Sequence, residues 1–369
     1  MGRIWEYVYW RLPLGKKQFF EKIGDLKQSV ETIINYRNEF HGRLDALTFE
    51  INRLHEENAR LERIITHYHK QDMTMFWEGY RKKEESTEDA QKRFFHSLPE
   101  AKGVNRNLQL LEKELLKAFI EICEKNGLQY WIYAGTLLGA VRHKGFIPWD
   151  DDVDTCMPRD EIGRLRNILE DNEIYELTVR YDPVGLCKQI RFCYKNSKLP
   201  VFVDVFPCDW ACEATRESWE ANYKVKQELI KEITDETNPL IKKFREMGCV
   251  DDNSVIGEKI ARIFDKYFEK LHTENILCNR ENAEGLLFSF DSCNSCDDSN
   301  INAVTHFFPL QTLEFEGINC RVPNQYMYIL RELYGEDLYT FPCGEPHFVH
   351  ADWKKNAKLL EAEVKKRIE

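Results

Sequence analysis

No run in this chain approaches the roughly eighteen uninterrupted apolar residues of a membrane-spanning helix, which excludes that way of crossing a bilayer. Nothing near the amino terminus reads as a signal peptide with a small-residue cleavage site, so a cytoplasmic location is expected. Positive charge is also in short supply. The 52 Lys and Arg against 63 Asp and Glu leave a net charge of -11, which argues against general affinity for nucleic acid. An anionic ligand would then need a metal ion or a local basic cluster. The dense, short cysteine framework of a secreted disulfide scaffold is missing too. The 12 cysteines are strewn from Cys123 to Cys343, and most are expected to be buried thiols in a reducing compartment. What is present is 369 residues with 43% hydrophobic and 12% aromatic content, enough for one large domain with extensions.

The amino-terminal third has its own organisation. Residues 1–24 set Trp5, Trp10, Tyr7, Tyr9, Phe19 and Phe20 among Arg3, Arg11, Lys16, Lys17 and Lys22, with only Glu6 and Glu21 opposing them. A basic, aromatic segment on an acidic protein fits peripheral contact with an anionic membrane surface, or an arm packed on its own domain. Over residues 25–70, Leu26, Val30, Ile33, Arg37, Phe40, Leu44, Leu47, Ile51, Leu54, Asn58, Leu61, Ile65 and Tyr68 alternate steps of four and three. That is the seam of a left-handed coiled coil. β-branched residues at a, Leu at d and Asn58 at an a position predict a parallel homodimer; the other reading is a single long helix packed on its own domain. Residues 71–104, charged and irregular, are expected to form a partly helical linker.

From residue 105 the pattern changes. "NLQLLEKELLKAFIEICEKNGL" has helical spacing and stops at Gly127, "QYWIYAG" reads as a short buried strand, and "LLGAVR" reads as a short helix. Then comes "WDDDVD". If Asp150 to Thr155 is extended, Asp150, Asp152 and Asp154 share one face, with same-face Cα atoms roughly 6.5–7 Å apart. Carboxylates so close repel unless a cation sits between them, and hard oxygen ligands suit Mg²⁺ or Mn²⁺. A glycine turn lets backbone approach a phosphate, so Gly135, Thr136, Arg142 and Lys144 are expected to bind phosphate groups, and Trp149 to stack on a base or pack the strand. "LPVFVDVFP" reads as an interior strand with Asp204 at its middle. That carboxylate is either a third metal ligand or the partner of Lys188 or Arg191, two residues also expected to bind substrate.

The stretches "YAGTLLGAVRHKGFIPWDDDVD", "VDVFP" and "FPLQTLEFEGINCRVPNQYMYILRELYG" resemble the LicD family, which includes fukutin and fukutin-related protein and lies in the nucleotidyltransferase superfamily. The resemblance covers about residues 105–352. It implies an α+β fold, a nucleotidyltransferase-like mixed sheet flanked by helices, in a catalytic domain over 105–369 that follows the long coiled-coil helix. It further implies transfer of phosphocholine, ribitol phosphate or glycerol phosphate from a CDP-alcohol donor to a hydroxyl of a surface glycan or teichoic acid. Asp152 and Asp154 would be metal ligands and catalytic residues, with Asp204 the third carboxylate, and His347 or His350 the family's late histidine. Such an enzyme would work at the inner face of the plasma membrane.

Two further expectations stand beside this. Cys208 and Cys212 with Cys293 and Cys296 offer four thiolates for a structural Zn²⁺, or are four ordinary buried thiols. The Asp-x-Asp pattern also occurs in sugar-nucleotide glycosyltransferases, and a non-catalytic coiled-coil scaffold is a third reading. The Gly-Thr turn and the third carboxylate on a neighbouring strand favour the nucleotidyltransferase arrangement over the glycosyltransferase.

Overall fold

A computed structural model describes residues 14–288, 290–293, 301–341 and 355–368. The chain divides into two units, residues 1–79 and 80–369.

The described part of the first unit is one helix, α1 (Leu14–Tyr80), 67 residues long by its bounds, or about 100 Å at 1.5 Å per residue. It runs unbroken across the expected boundaries at 24 and 70. Ion pairs such as Arg53 with Glu50 and Glu57 lace its polar surface, while Leu26, Val30, Ile33, Leu44, Leu47, Ile51, Leu54, Leu61 and Ile65 along the heptad seam are exposed. Residues 1–13 of the basic aromatic segment lie outside the described residues. No helix among the described residues is long and apolar enough to cross a membrane.

The second unit begins inside the stretch expected to be a linker. That stretch contains α2 (Thr87–His96), capped by the Ser86 side chain accepting from the Asp89 amide, and the start of α3 (Val104–Lys125). Ala90 and Phe95 of α2 are fully buried, so this part is packed structure and not a tether. Its many charges occupy the outer face of a short amphipathic helix and hide the few core residues.

Beyond α3 the chain continues as β1 (Trp131–Ile132), α4 (Ala134–Arg142), β2 (Asp154–Pro158), α5 (Arg159–Leu169), β3 (Tyr175–Asp182), β4 (Cys187–Tyr194) and β5 (Phe202–Ala211). There follow α6 (Arg216–Ile233), α7 (Pro239–Arg245), β6 (Val250–Asp251), α8 (Val255–Thr273), β7 (Gly285–Phe288), β8 (Ile301–Ala303) and α9 (Val304–Phe307). The described elements end with β9 (Gln311–Phe315), β10 (Ile318–Val322), α10 (Tyr326–Tyr334) and α11 (Ala357–Arg367). The main sheet runs β1-β2-β5-β4-β3-β6, with β7 on the second half of β5 and β8 beyond it. β2 and β5 are parallel, while β4 lies antiparallel to both β5 and β3. The fold is α+β with a mixed sheet flanked by helices.

One face of the sheet is core. Phe119 of α3 packs on Phe192, and Phe264 of α8 packs on Tyr181. The alternate residues of the same strands, Glu176, Thr178, Arg180, Gln189, Arg191 and Cys193, are only half-buried. Residues 211–285 supply α6 to α8 and also the edge strand β6, which pairs with β3. β9 and β10 form a hairpin around Glu316 and Gly317, both with positive φ, as a tight turn between twisted strands requires.

Candidate active site

The acidic strand starts later than its sequence suggests. β2 begins at Asp154, and Asp150 to Val153 form the loop that leads into it. This loop is held from several sides. Gln109 of α3 donates to the carbonyls of Ile147 and Asp150, at 3.3 and 2.9 Å, and Asn105 donates to that of Pro148 at 3.1 Å. Glu316 of the hairpin turn accepts from the Phe146 amide and takes Arg106 on both oxygens. Thr136 accepts the Asp154 amide hydrogen at 2.8 Å. Such pinning is needed because the loop carries adjacent negative charges into a buried place.

Asp150 does not join the other two as strand alternation suggested. It packs against Gly135, where a Cβ would come within 2.9 Å of its Oδ2, so a larger residue there would push the Asp150 carboxylate aside. Asp152 and Asp154 do converge, and Asp204 meets them. β2 and β5 are parallel with Asp154 directly opposite Asp204, and the Asp204 amide bonds the Val153 carbonyl at 2.8 Å. The three carboxylates each offer an oxygen within 4.8 Å of the others. Arg191, opposite Asp204 on β4, donates to its Oδ1 at 2.9 Å and stacks on Phe202 at 3.7 Å. Asp204 thus has a guanidinium partner on one oxygen and also stands in the acidic cluster.

Electrostatics make the crowding plain. Burial first, then Asp152, Asp204 and Asp150, hold the Asp154 carboxyl well above the usual carboxylate range. Beneath the loop, one turn beyond Gln109, lies a residue the sequence did not single out. Glu112 is completely buried, neither of its oxygens has a hydrogen-bond partner among the described residues, and burial, then Asp152, Asp151, Asp150 and Asp204, push it up in the same way.

The cluster opens into a cavity of about 530 Å³, lined also by Gly135, Trp149, Lys188 and Arg191. These are expected site residues brought together. Others are placed differently. Arg142 lines the cavity, but its Nη1 donates to the carbonyls of Leu338 and Thr340 at 3.1 and 3.0 Å and its guanidinium stacks on Phe95 at 4.7 Å. It anchors the wall instead of presenting a free cation to phosphate. The Thr136 hydroxyl is engaged with Asp154. Lys144, in the left-handed region at φ 63°, lines a separate surface cavity with Arg106 and Glu316. His347 and His350 lie outside the described residues.

The far wall comes from the segment after β10. Tyr334, at the end of α10, and Asp337, Leu338 and Thr340 after it face the aspartates. Burial, then Asp154, Asp150 and Asp152, push the Tyr334 phenol up, so it remains an O–H donor at neutral pH. The signal for it was the "YG" ending the helix: Gly335, at φ 82°, turns the chain back toward the site.

The cysteines do not assemble as a zinc set among the described residues. Cys208 lies beside Cys156 and Cys212 beside Cys278, the acidic trio is the only cluster of potential metal ligands among the described residues, and Cys296 lies outside them. The ten described cysteines are free thiols.

Comparison with known proteins agrees with this geometry. Residues 127–242, which contain Asp152, Asp154 and Asp204, match the family described as LicD/FKTN/FKRP, nucleotidyltransferase domain. Over 116 residues the chain is 38% identical to lipopolysaccharide cholinephosphotransferase LicD of Haemophilus influenzae, covering 28% of this chain and 44% of that protein. It is 47% identical over 77 residues to an uncharacterized protein of Rickettsia prowazekii, covering 21% and 29%. Over 56 residues it is 36% identical to human ribitol 5-phosphate transferase FKRP, covering 15% and 11%. The chain thus spans less than half the length of these relatives. Residues 127–242 are a nucleotidyltransferase domain of the LicD family.

Proposed function

We propose that this protein is a metal-dependent transferase that moves a phosphorylated alcohol from a CDP-activated donor to a hydroxyl of a surface glycan or teichoic acid. The observation that carries this reading is the convergence on one cavity of Asp152, from the loop before β2, with Asp154 and Asp204 of the adjacent parallel strands β2 and β5. The donor set fits a hard divalent cation: carboxylate oxygens only, in a place where burial opposes their charge. A bound Mg²⁺ or Mn²⁺ would supply the positive charge that neutralises a pyrophosphate.

The protein's own groups account for the remaining steps. Lys188 lines the same cavity and brings a cation to the donor's phosphates. Gly135 lets a phosphate approach the α4 backbone. Trp149 offers a flat face for the cytosine. Arg191 fixes the Asp204 carboxylate through Oδ1. The acceptor oxygen bonds to the distal phosphorus, the phosphorus–oxygen bond to CMP breaks, and the hydroxyl proton passes to Asp204. Tyr334 donates its O–H to an oxygen of the transferred phosphoryl group.

The test is CMP release from CDP-choline, CDP-ribitol and CDP-glycerol in Mg²⁺. Turnover with at least one donor is expected, abolished by Asp152→Asn or Asp154→Asn at an unchanged melting temperature. Undiminished turnover in either variant overturns the assignment.

We also propose that residues 25–70 join two copies in a parallel coiled coil. The exposed apolar seam on a helix that also carries ion pairs on its surface supports it.

A further inference from the structure

The half-buried face of the sheet continues past the catalytic aspartates. Strand register sets Asp154 opposite Asp204, Asp204 opposite Arg191, and Arg191 opposite Thr178, so one row of side chains crosses β2, β5, β4 and β3. At about 4.8 Å per strand the row is about 14 Å long. Arg191 lines the catalytic cavity and also a second cavity of about 380 Å³, a size within the roughly 300–1,000 Å³ of small-molecule sites. That second cavity is walled by Glu176, Thr178, Arg180, Asn196 and Asp251.

The chemistry of these walls is specific. Arg180 and Arg191 only donate hydrogen bonds, Glu176 and Asp251 only accept, and Thr178 and Asn196 do both. The two guanidiniums are already matched by carboxylates, Arg180 with Asp251 at 2.8 Å and Arg191 with Asp204 at 2.9 Å. No surplus positive charge is left to select a phosphate or nucleotide. The alternating donors and acceptors suit a neutral ligand whose hydroxyls each give and take a hydrogen bond. Asp251 comes from β6, within the segment inserted between β5 and β7.

We propose that this second cavity is the acceptor groove, binding a neutral oligosaccharide along the β3–β4 face so that one of its hydroxyls reaches Asp204. The inference rests on the transfer reading above and adds where the acceptor lies. Arg191 then has two neighbours: it steadies Asp204 on one side and the sugar on the other.

The test uses the full chain on an array of neutral hexose and N-acetylhexosamine oligosaccharides, with thermal shift by CDP and Mg²⁺ as the control. At least one saccharide is expected to be retained. Its signal should fall about tenfold or more in Arg180→Ala and in Thr178→Trp, which fills the groove, while the CDP shift is kept. Retention equal to that of the unaltered chain in both variants overturns the groove, as does a chain that responds to CDP yet retains no saccharide. Absence of any CDP response strikes the underlying transfer reading instead, and the groove falls with it.

Discussion

Glu112 shows how a single buried group reports on the whole site. Its ordinary carboxyl range lies near pH 4.3, and its folded-state value is raised. Below that range the proton is on the group in both folded and unfolded chains. Above it, the unfolded chain releases a proton that the folded one keeps, so stability falls as pH rises toward the folded value. Glu112→Gln removes this dependence. In EDTA, denaturant unfolding should show the unaltered protein losing about 1.4 kcal/mol per pH unit relative to the variant between pH 5 and the folded value; parallel profiles would contradict the burial argument. Arg142 makes the opposite point, because a basic residue beside the aspartates reads in sequence as a phosphate ligand. Its two carbonyl bonds and its place on Phe95 make it a brace. Arg142→Met should cost about 2–4 kcal/mol of stability, read as a lowered denaturation midpoint; a midpoint within error of the unaltered chain would return it to the phosphate. Sequence spacing marks Asp152 and Asp154 because both the charge and the two-residue step are local. The roles of Arg142, Glu112 and Tyr334 depend on partners far along the chain, which no local pattern carries.

At the scale of elements, regular periodicity was legible and irregular backbone was not. The heptads of α1, the helical spacing of α3 and the Glu316-Gly317 hairpin all announce themselves through side-chain period or turn chemistry. The loop at Asp150–Val153 reads in sequence as strand because an extended run would set Asp150, Asp152 and Asp154 on one face, yet hydrogen bonds donated by Asn105 and Gln109, and one accepted by Thr136, hold it as lead-in. The α2 helix was hidden by its charges. For α1, two-stranded pairing makes a simple demand on solution behaviour. Light scattering should give twice the chain mass of 43.9 kDa for the unaltered protein, and a single-chain mass for Leu47→Lys with Leu54→Lys, which place charges at adjacent d positions. A single-chain mass before mutation would remove the pairing.

At the scale of the molecule, a mixed sheet turns distant segments into one register. Asp154 and Asp204 stand fifty positions apart in sequence yet face each other across β2 and β5, with Arg191 next in line. The stretch "LPVFVDVFP", with a single aspartate among valines and phenylalanines, points to such a meeting, though it cannot say which neighbour it meets. Catalysis therefore turns on whether Asp152 of the loop and Asp154 and Asp204 of two neighbouring strands act together on one cation. Electron paramagnetic resonance titration with Mn²⁺ measures this directly. The account predicts that the unaltered protein takes up the ion and that Asp152→Asn, Asp154→Asn and Asp204→Asn each weaken uptake by at least about tenfold; equal uptake by all four proteins, or none by the unaltered one, would contradict it.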